Sequence, residues 1–312
     1  MTTKYIRWVA SILAAAVIFA TSPWVNANTH ATVTIEHASG TTTVSKNPKK
    51  IVVFDVTALD NMDHLGITTT IGVPEGKKPA YLEHFNDDKY EKIGTLFEPN
   101  YEKIAEFRPD LILISSRVRS KYADLSKIAP TIDMTIEYKN TLQNIERNIT
   151  ILGKLFDKEK EAEQEIAKLH ENLEMVRKVT KGKGTALVLM TSGGKISALG
   201  PQSRFDIFHS GYGIAPATDK LTVQRHGQIV SPEFILETNP DWLLVVDRDA
   251  AVEREGQSAA QLLDNELIMR TTAGKKNQII YLESWSWYRA LGGLTGLYTT
   301  AKELAEIFAK SE

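Results

Sequence analysis

Two arginines occupy matching places in this sequence. Glu102–Arg117 reads EKIAEFRPDLILISSR and Glu233–Arg248 reads EFILETNPDWLLVVDR; at a constant offset of 131 they share seven of sixteen positions. The shared pairs are Glu102/Glu233, Ile104/Ile235, Glu106/Glu237, Pro109/Pro240, Asp110/Asp241, Leu113/Leu244 and Arg117/Arg248. In each copy a Pro-Asp turn signal opens an aliphatic run that reads as a fully buried strand, and an arginine follows its end. Ligands of open α/β sheets bind outside the carboxyl ends of the strands, so both cations are placed to meet one. A surface arginine paired with a local carboxylate is the alternative for either residue alone.

Further candidates for the same face are Arg204 in GPQSRFD, Arg225 and His226 in VQRHGQ, and the run SWSWYR from Ser284 to Arg289. Three guanidinium groups in one cleft repel one another and stay charged at physiological pH, so they call for a polyanion. Trp287 and Tyr288 beside them suit a ligand with flat rings, through stacking and cation–π contact. Trp285 and Trp287 can equally be core residues, and a loop histidine such as His226 can simply bond to backbone.

The elements that must carry these residues alternate. KNPKKIVVFD holds the strand Ile51–Phe54, and Thr57 opens a helix to His64 before the turn at Gly66. IGVPEG, a helix around Tyr101–Phe107, the strand Leu111–Ile114, a short helix near Tyr122–Ile128 and the extended APTIDM continue the pattern to about Met134. Residues 140–180 carry apolar side chains at spacings of three and four with charge between, which predicts a long helix interrupted near Gly153 or Asp157. Beyond Gly182 and Gly184 the alternation resumes with strands Ala186–Met190, Trp242–Val246 and Gln278–Leu282, helices around Pro232–Glu237 and Ala259–Asp264, and a C-terminal helix from about Leu294. Strand and helix in turn predict parallel sheets, because a parallel neighbour requires a crossover. The expectation is two open α/β lobes, 28–139 and 181–312, joined by one long interdomain helix at 140–180, with the ligand cleft between the lobes.

Composition limits the function. Lys4 and Arg7 precede an apolar run from Trp8 to Ala20, a Ser22-Pro23 break and the small-residue site Val25-Asn26-Ala27, the grammar of a signal peptide spanning 1–27. Without Lys4 and Arg7, 35 basic residues stand against 39 acidic ones, a formal charge of −4 that disfavours nucleic acid. Zero cysteines exclude disulfides, thiolate metal sites and a lipid-modified cysteine, so a free periplasmic protein is expected. The sequence has no G-x-S-x-G, phosphate loop or H-E-x-x-H, and its seven histidines are scattered, which argues against an enzyme or a bare-metal carrier.

KIVVFD followed by ALDNMDHLGI, PNYEKIAEFRPDLILISSR, GPQSRFDIFH, HGQIVSPEFILETNPDWLLVVDR and IIYLESWSWY together resemble a known family along nearly the whole mature chain. It is the class III binding proteins of ABC importers for ferric siderophores, especially the iron–catecholate branch. The resemblance implies two lobes with limited closure and no catalysis. It implies that Arg117, Arg204 and Arg248 form a basic triad for a triply negative ferric catecholate. It also implies that His226 and Tyr288 complete the iron's coordination where the siderophore leaves two positions open, a role that hard Fe(III) accepts from imidazole and phenolate. Glu102 and Glu233 resemble the acids that dock each lobe on a permease dimer; their first-turn positions also stabilise a helix by the dipole alone. No intrinsic cofactor is implied, since the iron arrives as a siderophore complex, and a monomer is expected. Haem, cobalamin or another iron chelate is the alternative ligand, and arginines would also welcome carboxylates.

Overall fold

The computed structural model describes residues 31–224 and 226–311. The expected signal peptide and Arg225 lie outside the described residues. Residues 31 onward form one compact unit.

The Thr-rich segment ahead of the first lobe's sheet is a β-hairpin. β1 (Thr32–His37) and β2 (Gly40–Ser45) pair antiparallel, as suits β-branched residues alternating across a two-residue turn. The first lobe then builds a five-stranded parallel sheet from β3 (Lys50–Val53), β4 (Thr70–Val73), β5 (Glu91–Lys92), β6 (Leu111–Ile114) and β7 (Thr131–Asp133), in the order β5-β4-β3-β6-β7. Both faces are covered: Ile51 and Val53 of β3 join one apolar cluster, and Val52 between them joins another. That two-sided burial is why the strand reads as an unbroken aliphatic run.

The second sheet corrects the all-parallel expectation. β8 (Thr185–Ser192) turns at Gly193 and Gly194, at φ 56° and 72°, into the antiparallel β9 (Lys195–Leu199). Two successive positive-φ residues are the signature of a tight hairpin, and here two glycines supply them. β10 (Ala215–Pro216) lies beside the start of β8, and β11 (Gln228–Val230) runs antiparallel to β9. β12 (Trp242–Asp247) and β13 (Ile279–Tyr281) complete a mixed sheet of order β11-β9-β8-β12-β13, with the β8, β12 and β13 trio parallel.

Residues 140–180 form two helices, Thr141–Leu155 and Glu159–Thr180, broken where Asp157 adopts φ 52°. The second has 22 residues, about 33 Å at the α-helical rise. It packs along the C-terminal helix Leu294–Lys310, and one apolar cluster runs through these helices from Ile51 to Phe308. Among the described residues no helix is long and apolar enough to cross a membrane.

The duplicated sequence is a duplicated structural unit. Asn100 accepts a hydrogen bond from Lys103 N (3.0 Å) and Ser231 from Phe234 N (3.4 Å), capping the helices Tyr101–Phe107 and Pro232–Thr238. Both helices end on a left-handed residue, Arg108 at φ 49° and Asn239 at φ 46°. The next aspartates join neighbouring strands: Asp110 Oδ2 accepts from Lys49 N and Lys50 N, and Asp241 Oδ2 from Thr185 N. Ile104, Ile235, Leu113 and Leu244 are all fully buried.

Candidate ligand-binding site

β6 and β12 deliver Arg117 and Arg248 just beyond their carboxyl ends, and the helix Ser284–Arg289 after β13 stands between them. Tyr288 on that helix is where the arginines meet. Arg117 donates to the carbonyl oxygens of Tyr288 (2.9 Å) and Arg289 (3.1 Å), and Arg204 donates to the same Tyr288 carbonyl. Arg248 Nε donates to the Tyr288 hydroxyl oxygen at 2.7 Å, and its Nη1 to Ser192 Oγ at 2.8 Å. The Arg204 and Arg248 guanidinium carbons also lie 4.9 and 5.2 Å from the Tyr288 ring centre. The three sequence-selected arginines therefore converge around one tyrosine.

Arg117 and Arg204 line a pocket with Asp55, Thr57, Ser115, Tyr138 and Arg289. The space among these residues, open solvent included, is about 370 Å³. Burial and the nearby Arg204 push the Arg117 pKa down to about 10, against the pull of Asp55. Arg117 remains a cation at neutral pH, as expected of arginine. Burial likewise lowers Arg289, whose Nε donates to Ala251 O at 2.7 Å.

Two selected residues lie elsewhere. Trp287 is a correction: it is 2% exposed, its Nε1 donates to Thr300 Oγ1 (2.9 Å), and its ring packs 4.3 Å from that of Phe208. Helical geometry turns successive residues by about 100°, so Trp287 faces the core while Tyr288 and Arg289 face the arginines. His226 occupies an exposed turn ahead of β11; it is not among the residues lining this pocket, and neither are Arg248 and Tyr288, which stand beside the pocket. Glu102 and Glu233 are both exposed in the first turn of their helices, and the Ser231 hydroxyl holds the Glu233 carboxyl below its usual range.

Sequence reasoning missed Asp55 and gave Arg289 no role. Asp55 does have a signal, an acid two positions past a buried strand at the ligand-binding edge. It also missed how the lobes are tied. Asn61 Oδ1 and Asp60 Oδ2, on the helix Val56–His64, accept from Leu294 N and Thr295 N and so cap the C-terminal helix. Thr57 Oγ1 donates to Leu291 O (3.3 Å), and the hydroxyls of Tyr81 and Ser286 lie 2.8 Å apart.

A family model described as "Periplasmic binding protein" matches residues 51–285. The chain belongs to the periplasmic binding protein family. Among its relatives is the petrobactin-binding protein YclQ of Bacillus subtilis, 40% identical over 278 residues that cover 88% of this chain and 87% of the relative. The YclQ crystal structure superposes with a TM-score of 0.85 over 90% of this chain and all of that one, at 38% identity. The periplasmic catecholate-siderophore binding protein VctP of Vibrio cholerae superposes with a TM-score of 0.83 over 88% of this chain and all of its own, at 35% identity. This binding protein thus shares both its two-lobed fold and a substantial part of its sequence with siderophore-binding relatives.

Proposed function

We propose that this binding protein captures a ferric catecholate siderophore in the cleft where Arg117, Arg204 and Arg248 gather around Tyr288 and delivers it to an ABC-type permease. The observation that carries the reading is the convergence of the three guanidinium groups on Tyr288, beside a pocket open to both lobes. A triply negative complex neutralises them, and the Tyr288 ring adds an aromatic face. Relatives described as binding petrobactin and a catecholate siderophore support the ligand class. The lobes are read as 28–139 and 181–312 with the connection at 140–180. Tyr288 and His226 are proposed as iron donors for a complex with two open positions. Glu102 and Glu233 are proposed as the permease-docking acids; exposed Phe97 and Ile229 lie just ahead of their helices. With no cysteine to carry a lipid, the protein is proposed to act free in the periplasm, as a monomer with no resident cofactor and no catalytic step.

The test is a tryptophan-quenching titration with a tetradentate bis-catecholate Fe(III) complex, a hexadentate ferric tris-catecholate, a neutral ferric hydroxamate and cyanocobalamin. Tight binding of the catecholates alone is expected. Arg117→Ala, Arg204→Ala and Arg248→Ala should each weaken it by about 2 kcal/mol or more, as for truncation of a desolvated charge contact. Wild-type affinity in all three variants, or preference for the hydroxamate or cobalamin, refutes the reading.

A further inference from the structure

The pocket that gathers the arginines also holds an acid. Asp55 lies two residues beyond β3 and is 5% exposed. Its Oδ1 accepts from Thr57 N at 3.1 Å, capping the helix Val56–His64, and Ser115 lines the pocket beside it. The other charged or titratable groups lining the pocket are Arg117 from the loop after β6, Tyr138 from beyond β7, Arg204 from the turn after β9, and Arg289 from the end of the helix after β13. Burial is the largest influence on the Asp55 carboxyl and raises its pKa to about 6, with Arg117 drawing it back.

A carboxylate is an odd wall for an anion site, because the charge that balances Arg117 repels the ligand that Arg117 attracts. The conflict resolves if the carboxylate changes state. While it faces Arg117 across the pocket it is ionised near neutral pH. When a polyanion takes over the arginines, the carboxylate keeps its burial and gains a like charge, and both favour the neutral acid. We propose that Asp55 is a specificity-determining residue that takes up a proton as a polyanionic iron chelate binds, which couples affinity to pH and to ligand charge.

The proposal rests on the anionic-ligand reading of the pocket. By linkage, binding near neutral pH absorbs up to about one proton, and affinity falls by up to about tenfold per pH unit above the Asp55 pKa of the ligand-free protein. A neutral ligand gives no such dependence. Iron ligation by Tyr288 would release a proton instead, so the test uses a ligand that fills iron's coordination sphere.

The experiment is calorimetric titration with a hexadentate ferric tris-catecholate at about pH 7 and about pH 8, each in two buffers of different ionisation enthalpy. Wild type is compared with Asp55→Asn and Asp55→Ser, both favoured helix N-caps that preserve the local fold. Wild type is expected to absorb close to one proton and to bind about five- to tenfold more weakly at the higher pH. Both variants should absorb none and lose most of the pH dependence. Proton uptake that persists in both variants, or is absent from tightly binding wild type, overturns the role of Asp55 alone. Undiminished affinity in Arg117→Ala, Arg204→Ala and Arg248→Ala alike removes the anionic site and Asp55's role with it.

Discussion

Asp55 should cost the free protein stability, and the cost has a defined pH profile. Its pKa rises from 3.8 to about 6 on folding, chiefly by burial, because the helix N–H and Arg117 offset only part of the lost hydration. The folded state thus holds the proton more tightly than the unfolded state does. Below about pH 4 both states are protonated and Asp55 costs nothing; between about pH 4 and pH 6 folding must hold a proton that the unfolded chain releases. At about 1.4 kcal/mol per pH decade, the full penalty above pH 6 is about 3 kcal/mol. Asp55→Asn keeps the cap to Thr57 N and removes the charge, so it should match wild type at about pH 4 and exceed it by about 3 kcal/mol at about pH 7. Urea unfolding of both proteins at intervals between these limits measures the difference directly. A difference that stays constant with pH, or changes sign, would mean that Asp55 is not the strained carboxylate described here.

The remaining predictions concern the core and the docking surface. Trp287→Ala should lower unfolding stability by about 3 to 5 kcal/mol, as for loss of a large core aromatic, while the folded fraction binds ligand as wild type does. Denaturant unfolding and ligand titration on the same sample check both halves; normal stability with lost binding would return Trp287 to the pocket wall. Glu102→Ala combined with Glu233→Ala should leave ligand affinity unchanged and lower siderophore uptake in cells. Uptake at the wild-type rate would leave the two acids with helix stabilisation alone.

The parts of the fold legible in the sequence were those where one chemical pattern has one structural solution. Aliphatic runs after Pro-Asp became β6 and β12, and of the two positions offered for the helix break Asp157 carries it, while Gly153 lies within the first helix. The hairpin into β9 was passed over because Gly193-Gly194 reads equally as a turn before a crossover. Trp287 was offered to the cleft with Tyr288 because SWSWYR follows a strand at the ligand-binding edge, with a core role as the alternative; once coiled into a helix, adjacent residues take opposite duties. Asp55 reads locally as an N-cap, which it is, and its second role depends on Arg117 arriving from 62 positions further along the chain. The same holds for Asp60 and Asn61, whose partners Leu294 and Thr295 belong to the far end of the sequence.

The seven identities of the repeat divide by the forces that explain them. Ile104/Ile235 and Leu113/Leu244 fill cores, and Pro109/Pro240 with Asp110/Asp241 redirect the chain from helix to strand. Folding therefore accounts for four pairs. Arg117 and Arg248 instead place buried or half-buried cations on the two ends of one tyrosine, an arrangement that an anionic ligand makes favourable. The last two pairs, Glu102/Glu233 and Glu106/Glu237, put exposed acids four residues apart on each helix. Like charges at that spacing repel by a few tenths of a kcal/mol, roughly 0.2 to 0.5, and the second acid of each pair lies near a helix C-terminus, where the dipole disfavours it. Glu102 and Glu233 alone could be dipole partners, but Glu106 and Glu237 cannot. A cationic surface meeting both helices would supply the missing force, so the docking proposal extends to the repeated acids as the ligand proposal does to the repeated arginines.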